Sequence, residues 1–129
     1  MAPSTMILCD TNILIEFYKG NPQIIATLQK VGLNQIAISA ITQAELYFGA
    51  LNKTELRLIK RHLSLLHIYQ LDTEISAQFI ALMEAYSLSH KLSIPDAMIA
   101  ATSLVHKVEL YTLNTKDFRF ITGLNLYTP

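Results

Sequence analysis

The sequence is poor in cysteine, glycine and proline, and each scarcity excludes a class of protein. A single cysteine, Cys9, permits no disulfide within the chain, and no CxxC pair or cysteine–histidine ligand set is present. Four glycines, four prolines and a charged fraction of 16% disfavour disordered and low-complexity chains. We therefore expect a folded protein in a reducing, intracellular setting, with Cys9 packed in a core.

The chain also lacks a long apolar segment and an excess of charge of either sign. Its first apolar run, Met6 to Cys9, is shorter than a signal-peptide core, and no segment approaches the roughly 18 apolar residues of a membrane span. We therefore expect a soluble, cytoplasmic protein without a membrane partner. Ten basic and ten acidic residues give a formal net charge of zero, so a nucleic acid would have to bind through a local patch of charge.

Apolar residues are abundant, at 51% of the chain, and they fall in short segments. A chain of 129 residues is long enough for one sizeable core and short for two, so we expect one domain over residues 1–129. Apolar runs typical of buried strands alternate with amphipathic segments typical of helices. This order predicts a three-layer α/β/α fold with a central, mostly parallel sheet.

The predicted elements follow one another along the whole chain. Strands are predicted at Met6–Cys9, Gln35–Ile38, Ile68–Leu71, Glu109–Thr112 and Leu124–Tyr127. The first three helices are predicted at Ile13–Tyr18, from Pro22 to about Val31 with Asn21 as the cap, and from Ala40 to about Leu51 with Ser39 as the cap. The others are predicted within Lys53–Leu66, from a cap at Asp72 or Thr73 to about His90, and at Ala97–Val105.

The first acidic residue of interest, Asp10, directly follows the first predicted strand and precedes Thr11 and Asn12. Ligands of open α/β sheets bind at the carboxyl ends of the strands, which favours a functional role for Asp10. An aspartate at a helix start also accepts backbone N–H bonds as an ordinary N-cap. Taken alone, this stretch favours the N-cap.

A second acidic residue, Glu45, falls on the predicted core-facing side of its helix. Ile41, Ala44, Glu45 and Phe48 share one face at helical spacing. A lone glutamate on such a face is usually paired in a salt bridge or placed at the edge of the apolar stripe. A functional role gains weight only if other acids converge on Glu45.

Two further acids stand at element ends. Asp96 opens a helix with no charged residue between Ala97 and Val105, so this helix is expected at the buried centre of the fold. The spacing of Ser93 and Asp96 also fits a helix-capping pattern. Asp117 follows the fourth predicted strand and, taken alone, is an ordinary surface residue in a turn.

One predicted helix has a basic side, formed by Lys53, Arg57, Lys60 and Arg61. A basic helix face can follow a phosphate backbone. A solvated helix face is the commoner explanation for such a pattern. The sequence leaves both interpretations open.

Asp10, Glu45, Asp96 and Asp117 predict a metal site if they converge. Carboxylates a few ångströms apart raise one another's pKa, so four of them require a compensating cation. Mg²⁺ and Mn²⁺ prefer oxygen ligands and keep several waters, which suits phosphodiester hydrolysis by a metal-activated water. No glycine-rich phosphate loop, Ser/His/Asp set or HExxH motif competes for this role.

Four sequence blocks resemble the PIN-domain family, in particular the VapC-type toxins of bacterial toxin–antitoxin pairs. They stand in the family's order and are Cys9–Asn12, Ser39–Leu46, Ile94–Ala101 and Thr112–Phe118. Each block alone is weak, whereas all four together are specific. The resemblance implies a PIN-like fold and a metal-dependent endoribonuclease.

The resemblance also implies roles for individual residues. Asp10, Asp96 and Asp117 would hold Mg²⁺ or Mn²⁺, directly or through water. Glu45 would orient or deprotonate the attacking water. The supporting polar residues of this catalytic site would be Thr11, Asn12, Thr112 and Asn114.

The partners implied by the resemblance are an RNA substrate, a second copy of the chain in a homodimer, and a cognate VapB-like antitoxin. The antitoxin's C-terminal segment would cover the active-site groove, often with a basic side chain directed at the carboxylates. Two other functions stay open: a non-catalytic RNA-binding or regulatory PIN module, and a phosphatase-like or receiver-like α/β protein with Asp10 as phosphoryl acceptor. Such phosphatases carry a DxD pattern, which Thr11 and Asn12 do not provide.

Overall fold

The structure, a computed structural model, describes residues 6–129. At its centre is a parallel sheet of four strands in the order β3-β2-β1-β4. The strands are β1 (Ile7–Cys9), β2 (Ile36–Ser39), β3 (His67–Tyr69) and β4 (Glu109–Tyr111). Because β1 lies between β2 and β4, residues that follow β1 stand in the middle of the sheet's carboxyl edge.

Within the described residues, six α-helices connect and cover the strands. They are α1 (Thr11–Tyr18), α2 (Pro22–Val31), α3 (Ala40–Phe48), α4 (Lys53–Leu63), α5 (Thr73–His90) and α6 (Ile94–His106). Two short 3₁₀ turns lie at Leu33–Gln35 and Thr115–Asp117. None of the helices in residues 6–129 combines the length and the apolar character that crossing a membrane requires.

Two apolar cores, one on each face of the sheet, make the architecture three-layered. Ile7 and Cys9 of β1 pack with residues of α1, α2 and α4, whereas Leu8 packs with α5 and α6. Successive side chains of a strand point to opposite faces, so a strand covered on both faces has to be apolar throughout. The predicted three-layer α/β/α fold with a parallel central sheet is confirmed. The prediction of one domain stays a prediction, and residues 1–5 of it lie outside the described residues.

Polar residues that precede the helices determine where the helices begin. Asn21, Ser39 and Ser93 accept hydrogen bonds from the first backbone N–H groups of α2, α3 and α6. Asp72 does the same for α5, with Oδ1 at 2.9 Å from Ile75 N. These four caps confirm the sequence prediction, because capping depends on residues within one turn of the helix start.

The predicted core-facing side of α3 is wrong. Phe48 is 94% exposed and Ala44 is exposed, whereas Thr42 and Leu46 are buried. Apolar residues occur on two adjacent arcs of this short helix, so periodicity alone selected the wrong arc. Glu45 is consequently half-buried at the edge of the core rather than within its apolar stripe.

Several element ends also differ from prediction. α3 ends at Phe48 and α4 at Leu63, each three residues earlier than expected, because Gly49 and Ser64 already close the last turns. The strand predicted at Leu124–Tyr127 is reduced to an isolated bridge between Leu110 and Leu126. α6 begins at Ile94, three residues before the predicted Ala97, because Ser93 caps it and Pro95 fits its first turn. The shifts of one or two residues at the other ends are ordinary for helix and strand boundaries.

Phe118 directly follows the 3₁₀ turn Thr115–Asp117, and a substitution there tests how this turn is held to the core. Its side chain is fully buried in the core on the side of α5 and α6. Phe118→Ala leaves a cavity and should lower the free energy of unfolding by about 3–5 kcal/mol. Phe48→Ala, the same change at an exposed position, should cost about 0.5 kcal/mol or less. Urea denaturation measures both, and equal losses would contradict the packing described.

Candidate functional site: an acidic edge of the sheet

Asp10 lies at the carboxyl end of β1 and is only 5% exposed. Its backbone N–H donates to Tyr111 O at 2.9 Å, so sheet pairing continues up to this residue. Its carboxylate accepts from Thr11 N at 2.7 Å through Oδ1 and from Thr112 Oγ1 at 2.8 Å through Oδ2. Asp10 is the N-cap of α1, and its carboxylate is also repelled by the charges of Glu45 and Asp117, so the two interpretations of its position are compatible.

The segment after β4 is held against Asp10 by polar contacts. Thr112 Oγ1 accepts from Asn114 N at 3.1 Å, and Leu113 N donates to Asn12 Oδ1 at 3.3 Å. Asn12 Nδ2 also lies 3.5 Å from Thr112 Oγ1. Asn12 and Thr112 therefore join the end of β4 to the start of α1, while Asn114, an exposed residue, takes part through its backbone.

Thr11 joins Glu45 to the same edge. Its hydroxyl donates to Glu45 Oε1 at 2.7 Å, and Thr11 Oγ1 lies 3.0 Å from Thr42 Oγ1. Thr42 is fully buried on α3 and is a site residue that sequence reasoning missed. The Thr-x-x-Glu spacing of Thr42 and Glu45 was the available signal, because residues three apart share one side of a helix.

Asp96 occupies the first turn of α6 and is half-buried. Its backbone N–H donates to Ser93 Oγ at 3.3 Å, so the serine, not the aspartate, is the helix cap. Burial raises the pKa of Asp96 to about 6, and the charge of Asp10 adds to the rise. Asp117 and Glu45 raise it further, whereas the Ser93 hydroxyl opposes the shift.

Asp117 is exposed at the end of the 3₁₀ turn Thr115–Asp117. Its backbone N–H donates to Asn114 O at 3.0 Å, and the next residue, Phe118, is fully buried. The turn is therefore anchored from below, which gives an exposed carboxylate a defined place relative to the sheet.

The four acids influence one another electrostatically. Burial is the main cause of the raised pKa of Asp10; the bonds from Thr112 and Thr11 oppose it, and the charges of Glu45 and Asp117 add to it. The carboxylates are thus close enough to repel one another. Over residues 6–129, however, no three histidine, cysteine, aspartate or glutamate side chains are placed to hold one metal ion together.

A groove extends from Glu45 between α1, α3 and α4. Its volume is about 520 Å³, and apolar side chains such as Ile15, Leu46 and Leu58 form most of its wall. Tyr18 lies at the same surface and is 39% exposed. The acidic edge therefore borders a largely apolar groove at Glu45.

Comparison with known proteins assigns the chain to a family. The sequence profile of the PIN domain matches residues 7–122. The chain belongs to the PIN-domain family. The resemblance of its four sequence blocks to PIN domains is thereby confirmed.

This PIN domain is similar to named toxins and ribonucleases over nearly its whole length. It is 30% identical over 130 residues to ribonuclease VapC1 of Rickettsia felis, with 95% of each chain covered. It is 29% identical over 138 residues to toxin FitB of Neisseria gonorrhoeae, with 96% of this chain and 98% of FitB covered. A solved toxin–antitoxin complex from Klebsiella pneumoniae contains a similar chain, with a TM-score of 0.79, 36% identity and coverages of 92% and 94%.

The raised pKa of Asp96 predicts how stability depends on pH in chelator. The folded chain binds this proton more tightly than the unfolded chain, so the free energy of unfolding should fall as the pH rises from 3.8 to about 6. Asp96→Asn abolishes this titration. At pH 7.5 the variant should be more stable than the parent by ~1 kcal/mol, a value reduced for solvent screening of a half-buried group. Urea denaturation of both proteins at pH 3.5 and 7.5 measures the difference in their free energies of unfolding. The same difference at both pH values would contradict the prediction.

Proposed function

We propose that this PIN-domain protein is a metal-dependent endoribonuclease toxin that a cognate VapB-like antitoxin neutralises. The observation that carries the proposal is the set of interacting carboxylates at the carboxyl edge of the sheet: Asp10, Glu45, Asp96 and Asp117. The named ribonuclease and toxin are similar to this chain along nearly its whole length, which supports the same activity. The proposed setting is the cytoplasm, where RNA is translated.

The donor set fits a hard divalent cation such as Mg²⁺ or Mn²⁺. Carboxylates that repel one another are stabilised by a cation between them. Mg²⁺ is usually held by one or two carboxylates and keeps several waters, so three side chains do not have to contact one ion. We assign Asp10, Asp96 and Asp117 as the residues that would hold it, since the Asp10 oxygens keep free lone pairs beside their bonds to Thr11 and Thr112.

The cation would supply charge stabilisation at the phosphate and an activated water. Glu45 would then orient that water or accept its proton. The Thr11 hydroxyl, 2.7 Å from Glu45 Oε1, holds the carboxylate in one orientation. Thr112, which follows the adjacent parallel strand β4, holds Asp10 in the same way. The hydroxyls thus position the acids before substrate arrives, which lowers the reorganisation that the reaction requires.

The groove beside Glu45 suits the proposed antitoxin. Its apolar wall can cover the apolar side of an inserted peptide segment, and a basic side chain at the end of that segment would neutralise the carboxylates. A similar chain occurs in the Klebsiella pneumoniae toxin–antitoxin complex, which supports this partner. We also propose the homodimer that the family resemblance implies.

One of the other two functions is disfavoured by the geometry of Asp10. A phosphoryl acceptor needs an accessible carboxylate oxygen, whereas Asp10 is 5% exposed and both its oxygens accept hydrogen bonds. The other function, a non-catalytic RNA-binding module, differs from a ribonuclease only in leaving the bound RNA intact. A cleavage assay therefore distinguishes the two.

Asp96→Asn tests the proposed activity directly. The substitution removes one negative charge from the metal-holding set and should lower RNA cleavage in Mg²⁺ or Mn²⁺ by at least ~100-fold. Chelator should abolish cleavage by the parent. The control is Asp72→Asn, an aspartate at the start of α5 where asparagine caps equally well, and it should cut RNA at the parental rate.

Cleavage is followed on labelled RNA in gels, with circular dichroism to show that each variant folds. RNA cut by Asp96→Asn as fast as by the parent would refute the site assignment. RNA that the parent binds and leaves intact in both metals would favour the non-catalytic module.

Thr11→Val tests whether orientation of Glu45 contributes to turnover. The change preserves shape and removes the hydroxyl that bonds Glu45 Oε1. Loss of a hydrogen bond to a charged group should lower kcat by about 10-fold, with little change in KM. Thr54→Val, at an exposed position on α4, is the matched control and should retain the parental kcat. Steady-state cleavage kinetics decide between this role and a purely structural one.

A further inference from the structure

Two cations flank Asp117 along the chain, and neither has a role in the site described so far. Lys116 directly precedes Asp117, and Arg119 follows two residues later. Both residues are exposed. Their backbone is nevertheless held, because Phe118 N donates to Thr115 O at 3.1 Å and Arg119 N donates to Thr115 O at 2.9 Å.

The backbone of this segment turns repeatedly, and both cations stay exposed to solvent. Successive bonds of the 3₁₀ type join Asp117 N to Asn114 O and Ile121 N to Phe118 O, each at 3.0 Å. Phe118 and Ile121 are 0% and 3% exposed and hold the segment to the core, whereas Lys116 and Arg119 face solvent.

Neither cation is neutralised by the protein. The ion pair between Lys19 and Glu16, at 3.5 Å, is the only salt bridge among residues 6–129. Lys116 and Arg119 therefore present two uncompensated positive charges within two residues of an acid of the candidate site. Two neighbouring cations are suited to a doubly or repeatedly charged anion.

An RNA substrate requires positive charges beside the carboxylates of the candidate site. A cation at the carboxylates would serve the scissile phosphate alone, and the flanking phosphates would approach an acidic surface. The chain has a formal net charge of zero, so it offers no general attraction that could compensate. Local cations beside the acids have to supply it.

The basic side of α4 is the other concentration of positive charge, and it is turned away from the acids. Glu55, Leu58 and Ile59 are the α4 residues that line the groove beside Glu45. At 100° per residue, Arg57 and Lys60 then lie on the opposite side of the helix. The α4 cations are therefore poorly placed for phosphates at the cleavage site.

We propose that Lys116 and Arg119 form a phosphate-binding pair that holds the RNA backbone next to the scissile bond. This inference rests on the proposed ribonuclease function and adds substrate-positioning residues to it. The two side chains bind phosphates without reading the bases, so they contribute affinity for single-stranded RNA of any sequence.

The test compares two double variants that remove the same residue types at the same spacing. One is Lys116→Ala with Arg119→Ala, and the control is Lys60→Ala with Arg57→Ala on α4. All four side chains are exposed, so both proteins should keep the parental melting temperature. Binding of a fluorescent single-stranded RNA in the Asp96→Asn background is measured against salt concentration, and cleavage kinetics are measured with Asp96 intact.

Removal of the Lys116 and Arg119 charges should raise both Kd and KM by ~10- to 30-fold at 0.1 M salt and change kcat by less than ~3-fold. The slope of log affinity against log salt should fall by ~1.4, or ~0.7 for each phosphate that the protein no longer neutralises. The α4 control should change each quantity by less than ~3-fold. Lys116→Arg and Arg119→Lys, which keep the charge, should restore most of the affinity.

Equal losses in both double variants would show a general charge effect and overturn the proposal, as would parental affinity in the Lys116 and Arg119 variant. Weakened binding of an antitoxin with parental RNA affinity would assign the pair to the protein partner instead and overturn it as well. Failure of the proposed function is distinct, because it appears as an absence of cleavage by the parent while RNA binding is still measurable.

Discussion

Repulsion among buried and half-buried carboxylates is the constraint on which this structure depends. Asp10 and Asp96 both have a pKa above the ordinary aspartate value, because burial and neighbouring acids disfavour their charged forms. A protein core tolerates such a group only where hydrogen bonds or cations compensate it. The polar contacts of the sheet edge are arranged accordingly, with hydroxyls from Thr11 and Thr112 directed at carboxylate oxygens.

Those hydroxyls come from elements that pack for independent reasons. Thr11 opens α1 and Thr112 directly follows β4, so the parallel pairing of β1 with β4 brings Thr112 to Asp10. Asp10 and Thr112 are far apart along the chain, and formation of the sheet brings them into contact. Assembly of the site is therefore a by-product of sheet register, and a shift of register by one residue would separate Asp10 from its partner.

Local signals explain most of what the sequence predicted. Helix caps and the first strand depend on residues within a few positions of one another. The caps are Asn21, Ser39, Asp72 and Ser93. The orientation of α3 was mispredicted, because which arc of a short helix is buried depends on the neighbouring elements. Thr42 was missed for the same reason, since its contact with Thr11 exists only in the folded chain. The fold and the order of the four acids along the chain could be predicted from the sequence, whereas the orientation of side chains on α3 could not.

The strand order β3-β2-β1-β4 has a consequence for how the protein is made. Of the four strands, β1 is synthesised first, yet one of its two neighbours is β4, the last strand of the sheet. Asp10 can therefore contact Thr112 and interact with the charge of Asp117 only after these residues have left the ribosome. A nascent chain that stops before residue 109 can form helices and part of the sheet, but it holds only an incomplete set of acids. Topology thus delays assembly of the acidic edge until β4 and the residues that follow it have been translated.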